Sequence, residues 1–355
     1  MRVGLAQVAA PRDPAAAARV AADAVAACAA DGARLVVLPE YASGFDPRGV
    51  GPGDAQELDG RFLTALRAAA RGHGVDVLAG ATLTAPAAGE GRNGRSDGEP
   101  GRDVVGGGEP GGGRAARGPG VVDAGGACGP AEGRASNAVV GGACGPAEGR
   151  ASNAVVGGAC GPAEDRASNA VAGGACGPAE DRASNAVVHV RADGTLGGTY
   201  RKVHLFDAFG QRESARFVPG DPAAPPLVVD ADGLRLGVLT CFDLRFPESA
   251  RRLVDAGAQA IVVPAAWAAG PGKVEQWTVL ARARALENVA WLVGVGMAGR
   301  GVCGSSLVVD PAGAVVEQLG LAPGSVVVDL DPARVVEARR RNPALDLRRY
   351  EVRPR

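Results

Sequence analysis

The sequence predicts an α/β protein in which two β-sheets pack together between outer layers of helices. Short apolar segments with strand-like patterning alternate with segments of helical length, and several strands come in pairs before the next helix. Paired strands between helices fit two layered sheets better than one all-parallel sheet. The 46% hydrophobic content is ample for the core of such a domain.

The elements follow in a regular order once one biased segment, described below, is set aside. The first strand is expected at residues 3–10, and Asp13 is placed to cap a helix from Pro14 to about residue 30, with Gly32 at its end. Further strands are predicted at 34–39, 75–83, 185–190, 227–229, 234–240, 260–264, 289–295, 306–309, 315–319 and 325–330, and further helices at 58–70, 248–256 and 274–287.

A Gly-rich segment at residues 87–181 interrupts this pattern. Within it the 16-residue unit GGACGPAEGRASNAVV begins at residue 125 and recurs with few changes as far as residue 188. Each copy contains one cysteine: Cys128, Cys144, Cys160 and Cys176. This spacing does not match a metal site, and one short apolar patch per unit is too little for a solenoid. We interpret 87–181 as a low-complexity insertion in a single domain, 1–355, with the last repeat copy supplying a strand.

Charge and composition exclude several classes of protein. The 38 Lys+Arg and 39 Asp+Glu give a formal net charge of -1, which excludes a broadly basic nucleic-acid binder. The sequence has no run of about 20 uncharged apolar residues, so we expect no membrane span. The N-terminal apolar run is too short for a secretory signal. Seven cysteines in such a chain favour a reducing compartment, so a cytoplasmic protein is expected. Among the basic residues only Lys202 and Lys273 are lysine.

The segment LRLGVLTCFDLRFPE (234–248) is the most informative for chemistry. An apolar strand ends at Cys241, and Pro247 opens a helix. A cysteine at such a turn points its sulfur toward the N–H groups of the helix start, which would lower the thiol pKa and favour a nucleophilic thiolate. The alternative is a small buried apolar side chain, the commonest role of a free cysteine.

Three charged residues elsewhere strengthen the catalytic interpretation. Glu40 follows the apolar strand RLVVLP (34–39), at the carboxyl end where α/β active sites form, and is suited to act as a general base. Lys202 offers a compact ammonium that suits a developing oxyanion. Glu213 alone would be interpreted as a loop carboxylate. Taken singly, Glu40 and Lys202 also fit exposed surface charges.

Together these positions resemble the nitrilase superfamily of carbon–nitrogen hydrolases. The resemblance extends over nearly all of the chain outside the insertion. It rests on LPEY (38–41), YRKVHLF (200–206), the Glu213 carboxylate before FVPGD (217–221), CFDLRFPE (241–248), RARALEN (282–288) and GSSLVVDPAG (304–313).

The resemblance implies a four-layer αββα sandwich of the nitrilase type. It also implies a catalytic triad of Glu40, Lys202 and Cys241, with Glu213 matching the family's second glutamate. The partners it implies are a small-molecule amide and further copies of this chain, in homodimers or larger homo-oligomers.

The implied reaction is thiol-dependent hydrolysis of a non-peptide C–N bond. Glu40 takes the thiol proton, Cys241 attacks the amide carbon, and Lys202 stabilises the oxyanion together with the backbone N–H of Phe242. The resulting thioester is hydrolysed by water that Glu40 activates, which releases ammonia and a carboxylic acid. No metal or organic cofactor is needed. The run after Cys241 resembles the branch that hydrolyses ω-amides of dicarboxylates, in which Arg245 would bind a substrate carboxylate or form a structural ion pair.

Other functions remain open at this point. Hydrolysis of nitriles, N-carbamoyl amino acids or aliphatic amides is an alternative, and a non-catalytic scaffold with a repeat arm is a more remote one. GVGMAG (294–299) matches a dinucleotide-binding pattern, but no helix follows it, which excludes that function. A Cys241–His204 pair would give a different thiol mechanism. His204 lies two residues after Lys202. If this segment is extended, with side chains alternating between two faces, the two residues share a face, and we expect His204 to be structural.

The insertion gives the first testable prediction. We expect residues 87–181 to be loosely packed, with their four cysteines reduced and metal-free. Deleting 87–181 should therefore preserve activity, and limited proteolysis should cut there first and leave a nicked enzyme that holds together. Protection of the segment from protease, or loss of folding on its deletion, would show that the repeat is structural.

Overall fold

A computed structural model describes residues 1–85 and 182–355. The predictions about the Gly-rich insertion and its four cysteines lie outside these residues.

Strands and helices alternate in the described ranges much as the sequence predicts. The strands are Arg2–Gln7 (β1), Leu35–Val37 (β2), Asp76–Thr84 (β3), Ala183–Val190 (β4), Leu196–Arg201 (β5), Phe217–Val218 (β6), Val228–Ala231 (β7), Leu234–Val238 (β8), Ala260–Ala265 (β9), Trp291–Gly296 (β10), Leu307–Val309 (β11), Val315–Gln318 (β12) and Gly324–Asp329 (β13). The helices are Pro14–Ala30 (α1), Arg61–His73 (α2), Pro247–Asp255 (α3), Lys273–Asn288 (α4) and Pro332–Arg341 (α5).

The strands of the described ranges form two sheets, and each sheet contains three adjacent parallel strands. The first has the order β13-β1-β2-β3-β4-β5, with β6 beside β4, and its strands β1, β2 and β3 are parallel. The second has the order β12-β11-β10-β9-β8-β7, and its strands β8, β9 and β10 are parallel. Each parallel centre is flanked by antiparallel strands.

The alternation of side chains along each strand builds three apolar layers. On β2, Leu35 and Val37 lie between the two sheets, facing residues such as Val262 of β9. Val36 points the other way, into the layer under α1 and α2. On β9, Ile261 packs in the layer under α3 and α4. Because both faces of each central strand are covered, these strands are apolar throughout. The predicted αββα sandwich is confirmed.

Two edge strands and one helix were missed, each because its sequence signal is weak. Gly197 and Gly198 lie inside β5, and glycine is depleted in strands; β6 is only two residues long. In α5 only Val335 is buried, so no apolar periodicity marks it. Its one signal is Asp331, which caps the helix and accepts a hydrogen bond from the Ala333 N–H.

The strand provided by the last repeat copy lies inside the first sheet, between β3 and β5. β4 pairs with β3 over its whole length, from Ala183 opposite Thr84 to Val190 opposite Val77, and all eight of its residues are buried. The sequence predicted this strand from residue 185, two residues later than it begins. The strand matters for the site, because Asn185 is among the residues that it positions.

Candidate active site

The predicted catalytic side chains meet at one edge of the two sheets, because several elements end there. Glu40 follows β2, Lys202 follows β5, and Cys241 follows β8, while Glu213 begins the 3₁₀ helix Glu213–Ala215. Gly80 of β3 makes room for this approach: a Cβ there would lie 2.4 Å from the Cα of Glu40. The four side chains line one cavity of about 270 Å³.

Lys202 is buried between two carboxylates. Its Nζ donates to Glu40 Oε1 at 2.9 Å and to Glu213 Oε2 at 2.9 Å. Burial acts to lower the pKa of Lys202, but the charges of Glu213 and Glu40 outweigh it and hold that pKa well above its usual range. Burial alone would raise the pKa of Glu213, and the Lys202 charge reverses this and lowers it. The ammonium is therefore a fixed positive charge at neutral pH.

Three groups that the sequence did not indicate hold the two glutamates in place. The Asn185 side-chain amide donates to Glu40 Oε1 at 2.7 Å and to Glu213 Oε1 at 2.9 Å. The Tyr41 hydroxyl donates to Glu213 Oε1 at 2.8 Å, and burial raises the pKa of Tyr41 so that it stays a donor. The N–H of Ala266, after β9, donates to Glu40 Oε2 at 2.8 Å. Glu40 is thus fixed from both sheets.

Cys241 lies in a strained turn at the end of β8. It has a left-handed φ of 45°, a conformation that non-glycine residues seldom adopt outside functional sites. The 3₁₀ helix Cys241–Arg245 starts there and leads into α3. The side chain is only slightly exposed, toward the cavity.

The predicted lowering of the Cys241 thiol pKa is wrong. Burial raises this pKa well above its usual range, and the negative charge of Glu40 raises it further, while Lys202 acts in the opposite direction. A short 3₁₀ turn offers too little dipole to outweigh burial beside a carboxylate. The thiol is therefore protonated in the resting protein, and its nucleophilic form requires transfer of the proton to a base.

The two further predicted residues, Phe242 and Arg245, also line the cavity. The Phe242 N–H belongs to the first turn of the 3₁₀ helix, where the leading N–H groups lack acceptors within the helix. The Arg245 guanidinium lies over the Trp267 ring, 4.9 Å from its centroid, and donates to Gln276 at 2.8 Å. No carboxylate of residues 1–85 or 182–355 pairs with Arg245, so the structural ion pair considered above is not present there.

His204 does not share a face with Lys202, contrary to the prediction. β5 ends at Arg201 and the chain bends directly afterwards, so the two side chains diverge. The His204 ring stacks on Phe246 with centroids 3.7 Å apart, and its Nδ1 lies 2.8 Å from Asp243. No hydrogen bond links His204 to Cys241 in the part of the chain that the structure describes.

Asp243 connects the segment that carries Lys202 with the turn that carries Cys241. Its fully buried carboxylate accepts from the Tyr200 hydroxyl at 2.7 Å and from the backbone N–H of His204 at 2.9 Å. It also accepts from the backbone N–H of Thr240, the residue before Cys241. One carboxylate therefore sets the spacing between the two catalytic segments.

Asp243→Asn should lower both activity and stability. An asparagine offers one acceptor oxygen and no charge to donors that a carboxylate now satisfies, and each buried hydrogen bond lost costs about 1–3 kcal/mol. Thermal unfolding and initial rates would measure the two effects. Asp310→Asn, at a buried carboxylate paired with Arg334 at 2.9 Å, is the control for stability loss alone. Equal loss of activity in both variants would contradict a positioning role for Asp243.

Metal ligands are not grouped in the described residues. Within residues 1–85 and 182–355, no three or more His, Cys, Asp or Glu side chains are arranged to hold a metal ion.

Solved structures resemble the fold over nearly the whole chain. An amidase of the nitrilase superfamily from Nesterenkonia sp. AN1 superposes with a TM-score of 0.58 over 98% of this chain and 96% of its own, at 24% sequence identity. At this identity the similarity concerns the fold.

Curated relatives are similar over part of their length. A hydrolase of Mycobacterium tuberculosis is 43% identical over 156 residues, which are 40% of this chain and 55% of the relative. A deaminated glutathione amidase of Escherichia coli is 37% identical over 157 residues, 44% of this chain and 59% of the relative. The chain thus spans little more than half the length of these relatives. The model of the carbon-nitrogen hydrolase family matches residues 158–340, just over half of the chain. This protein belongs to the carbon-nitrogen hydrolase family.

Proposed function

We propose that this protein is an amidase that cleaves the C–N bond of a small amide through a thioester on Cys241. One observation carries the proposal: a thiol, a carboxylate and an ammonium meet in one small cavity. Glu40 and Lys202 are hydrogen-bonded to each other at 2.9 Å, and the Glu40 charge acts directly on the Cys241 thiol. These are the base, the oxyanion stabiliser and the nucleophile that acyl transfer requires.

The charges of the resting site favour proton transfer over a free thiolate. Glu40 and Glu213 contribute two negative charges, Lys202 one positive charge, and the protonated Cys241 none. Ionising the thiol to solvent would add a second uncompensated negative charge to a buried cavity, which is unfavourable. Passing the proton to Glu40 leaves the total charge unchanged. The thiolate therefore forms as substrate is attacked, with Glu40 as the general base.

The reaction then proceeds in two halves. The Cys241 sulfur bonds to the amide carbon, and the negative charge that develops on oxygen is stabilised by Lys202 and the Phe242 N–H. The C–N bond breaks as Glu40 returns its proton to nitrogen, so ammonia leaves and a thioester remains. Glu40 next takes a proton from water, whose oxygen attacks the thioester. The C–S bond breaks, the thiol regains its proton, and a carboxylic acid is released.

We infer that Glu213 holds Lys202 in place and does not react itself. Its carboxylate accepts hydrogen bonds from Lys202, Tyr41 and Asn185. None of the hydrogen bonds of Glu213 in the described residues involves Cys241. Because Glu213 fixes the ammonium, the oxyanion site is already in place before substrate binds. Such preorganised charge is the basis of electrostatic catalysis.

Lys202→Met should lower kcat/KM by at least about a hundredfold, as the loss of an oxyanion donor typically does. Lys202→Arg should fail as well, because a planar guanidinium does not fit the place of a compact ammonium. Steady-state kinetics measure both. Since Lys202→Met leaves two buried carboxylates facing each other, the double variant Lys202→Met/Glu213→Gln separates unfolding from lost catalysis. A normal rate in the arginine variant would contradict the oxyanion role.

We propose an ω-amide of a dicarboxylic acid, or a related amidated acid, as the substrate. Relatives from Escherichia coli and Bos taurus bear the name deaminated glutathione amidase, at 37% and 36% identity. Arg245, at the cavity wall, has no carboxylate partner in residues 1–85 or 182–355 and is suited to bind the acid end. The cavity of about 270 Å³ suits a small substrate.

We further propose that the enzyme acts in the cytoplasm as a homodimer or larger homo-oligomer, without nucleic-acid or membrane partners. The balanced charge and the family resemblance support this. None of the helices that the structure describes is both long and apolar enough to cross a membrane.

A screen of small amides, ureido acids and nitriles tests the proposed function. Ammonia release is the measurement, and the Cys241→Ala protein is the blank. We expect turnover of ω-amides above that of nitriles and ureido acids. Preferential turnover of nitriles or ureido acids would reassign the enzyme to the nitrilase or N-carbamoyl-amino-acid hydrolase reaction. No turnover of any compound by the full chain would favour the scaffold alternative.

A further inference from the structure

Each carboxylate that lines the cavity already has a cation as its partner. Glu40 and Glu213 share Lys202. Asp46 is paired with Arg48 at 2.8 Å, and hydrogen bonds from Arg48 keep the pKa of Asp46 below its usual range. None of these three carboxylates forms an ion pair with Arg216, Arg245 or Lys273.

The cavity wall nevertheless carries further cations. Arg216, Arg245 and Lys273 line it, and none of them forms an ion pair with a carboxylate within the ranges 1–85 and 182–355. Lys273 instead places its Nζ 3.9 Å from the centroid of the Phe209 ring, and the Arg245 guanidinium lies 5.6 Å from the same ring. Phe209 is 68% exposed, so these cations are held at the open end of the cavity.

The fold makes Lys273 and Arg245 converge. Lys273 is the first residue of α4, and Gln276 lies one turn later on the same face of that helix. Gln276 accepts a hydrogen bond from Arg245 at 2.8 Å. The carbonyl of Lys273 accepts from the Trp267 indole N–H at 3.0 Å, and Arg245 lies over the Trp267 ring. Two like charges thus lie close to the same Phe209 ring at the mouth of the cavity.

Helix electrostatics do not explain Lys273. A cation at the N-terminus of a helix faces the positive end of the helix dipole, which is unfavourable, whereas an anion is favoured there. Lysine is also rare in this chain, at two of 38 basic residues, and the other one, Lys202, lies in the proposed catalytic centre. An exposed cation–π contact is weak, so Phe209 can release the ammonium to a stronger partner.

We propose that Lys273, together with Arg245, binds an anionic group at the end of the substrate remote from the scissile amide. Lys273 is thus a specificity-determining residue, and it selects amides that carry a carboxylate over neutral amides of the same length. The inference rests on the proposed amide hydrolysis at Cys241, but anion binding at Lys273 can be measured separately from turnover.

Succinamate and butyramide form a matched pair for the kinetic test, because they differ by a carboxylate in place of a methyl group. In Lys273→Met, the ratio of kcat/KM for succinamate to that for butyramide should fall at least about tenfold. The change should lie mainly in KM for succinamate, since the contact is remote from the reacting bond. Lys273→Arg should retain more of the ratio than Lys273→Met.

Arg19→Met is the control, because it removes an exposed positive charge from α1, on the opposite helical layer, and should leave the ratio unchanged. An unchanged ratio in Lys273→Met would overturn the proposal.

Binding of glutarate to the full chain, measured by calorimetry, separates this proposal from the proposed function. Glutarate should bind at least about tenfold more weakly to Lys273→Met than to the unaltered protein. If the unaltered protein hydrolyses neither amide but binds glutarate in a Lys273-dependent manner, the proposed function fails and the anion site stands. Glutarate binding that is absent, or equal in both proteins, would overturn the anion site.

Discussion

Cys241→Ala is expected to lower the rate of ammonia release from every amide substrate by at least about 10⁴-fold. In enzymes that act through a nucleophile held by a base, loss of the nucleophile removes nearly all of the catalysis beyond binding and the oxyanion site. The fold should persist, because the change removes one sulfur atom and leaves the rest of the turn in place. Initial rates at saturating amide, together with a thermal unfolding curve, measure both effects.

Cys303→Ala is the matched control for this variant. Cys303 is also a buried cysteine and packs in the same apolar layer under α3 and α4, but it is not among the residues that line the cavity. The Cys303→Ala protein should lose about as much stability as Cys241→Ala but keep its activity. Appreciable ammonia release by Cys241→Ala, or equal loss in both variants, would contradict a thioester on Cys241.

Glu40→Gln is expected to block both halves of the reaction. The glutamine keeps the shape of the side chain but cannot accept the thiol proton, and it cannot activate water afterwards. General base catalysis contributes about 10²–10⁴-fold to a single step, so a variant that affects two steps should lose at least that much. Stopped-flow measurement of ammonia release gives the rate.

An activated ester distinguishes the two steps in Glu40→Gln. Its good leaving group relaxes the need for a base in acylation, whereas hydrolysis of the thioester still requires one. The variant should therefore accumulate acylated protein, and the unaltered enzyme should not. Glu213→Gln is the comparison: it weakens the hold on Lys202 but leaves the base in place, so no acyl-enzyme should build up. Normal turnover of amides by Glu40→Gln would contradict the role of the carboxylate.

The sequence was sufficient for the sandwich and for the residues that converge in the cavity. Apolar strands with short periodic helices between them are local signals, and Glu40 and Cys241 each follow a strand that the sequence predicts. Strands β2 and β5 belong to the first sheet and β8 to the second, so strand pairing alone does not bring these side chains together. Their proximity was expected from the family resemblance of the motifs that contain them.

The groups that hold the glutamates could not be found in this way. Asn185 lies on β4, and its sequence context, Ser-Asn-Ala-Val, occurs four times in the repeat, so no single copy stands out. The backbone N–H of Ala266 comes from the second sheet, 226 residues away from Glu40 in the chain. Such contacts depend on how the two sheets pack, which residue patterns along one segment do not encode.

The errors have the same origin. The thiol pKa was predicted from the turn alone, whereas burial and the charge of Glu40, both long-range effects, raise it. His204 was placed on a continuing strand, but β5 ends at Arg201 and Asp243 draws the following segment toward the Cys241 turn. Lys273 was visible only as a rare residue type, and its place at the cavity mouth depends on where α4 begins.

Mass spectrometry of the acylated protein is the most direct test of a covalent thioester on Cys241. The full-length protein is mixed with an amide substrate, quenched in acid within one turnover, and digested. We expect the peptide containing Cys241 to gain the mass of the acyl group and neutral hydroxylamine to remove this mass, while peptides containing Cys28 or Cys303 remain unchanged. Release of ammonia with no acyl mass on Cys241, or an adduct on another residue, would contradict this expectation.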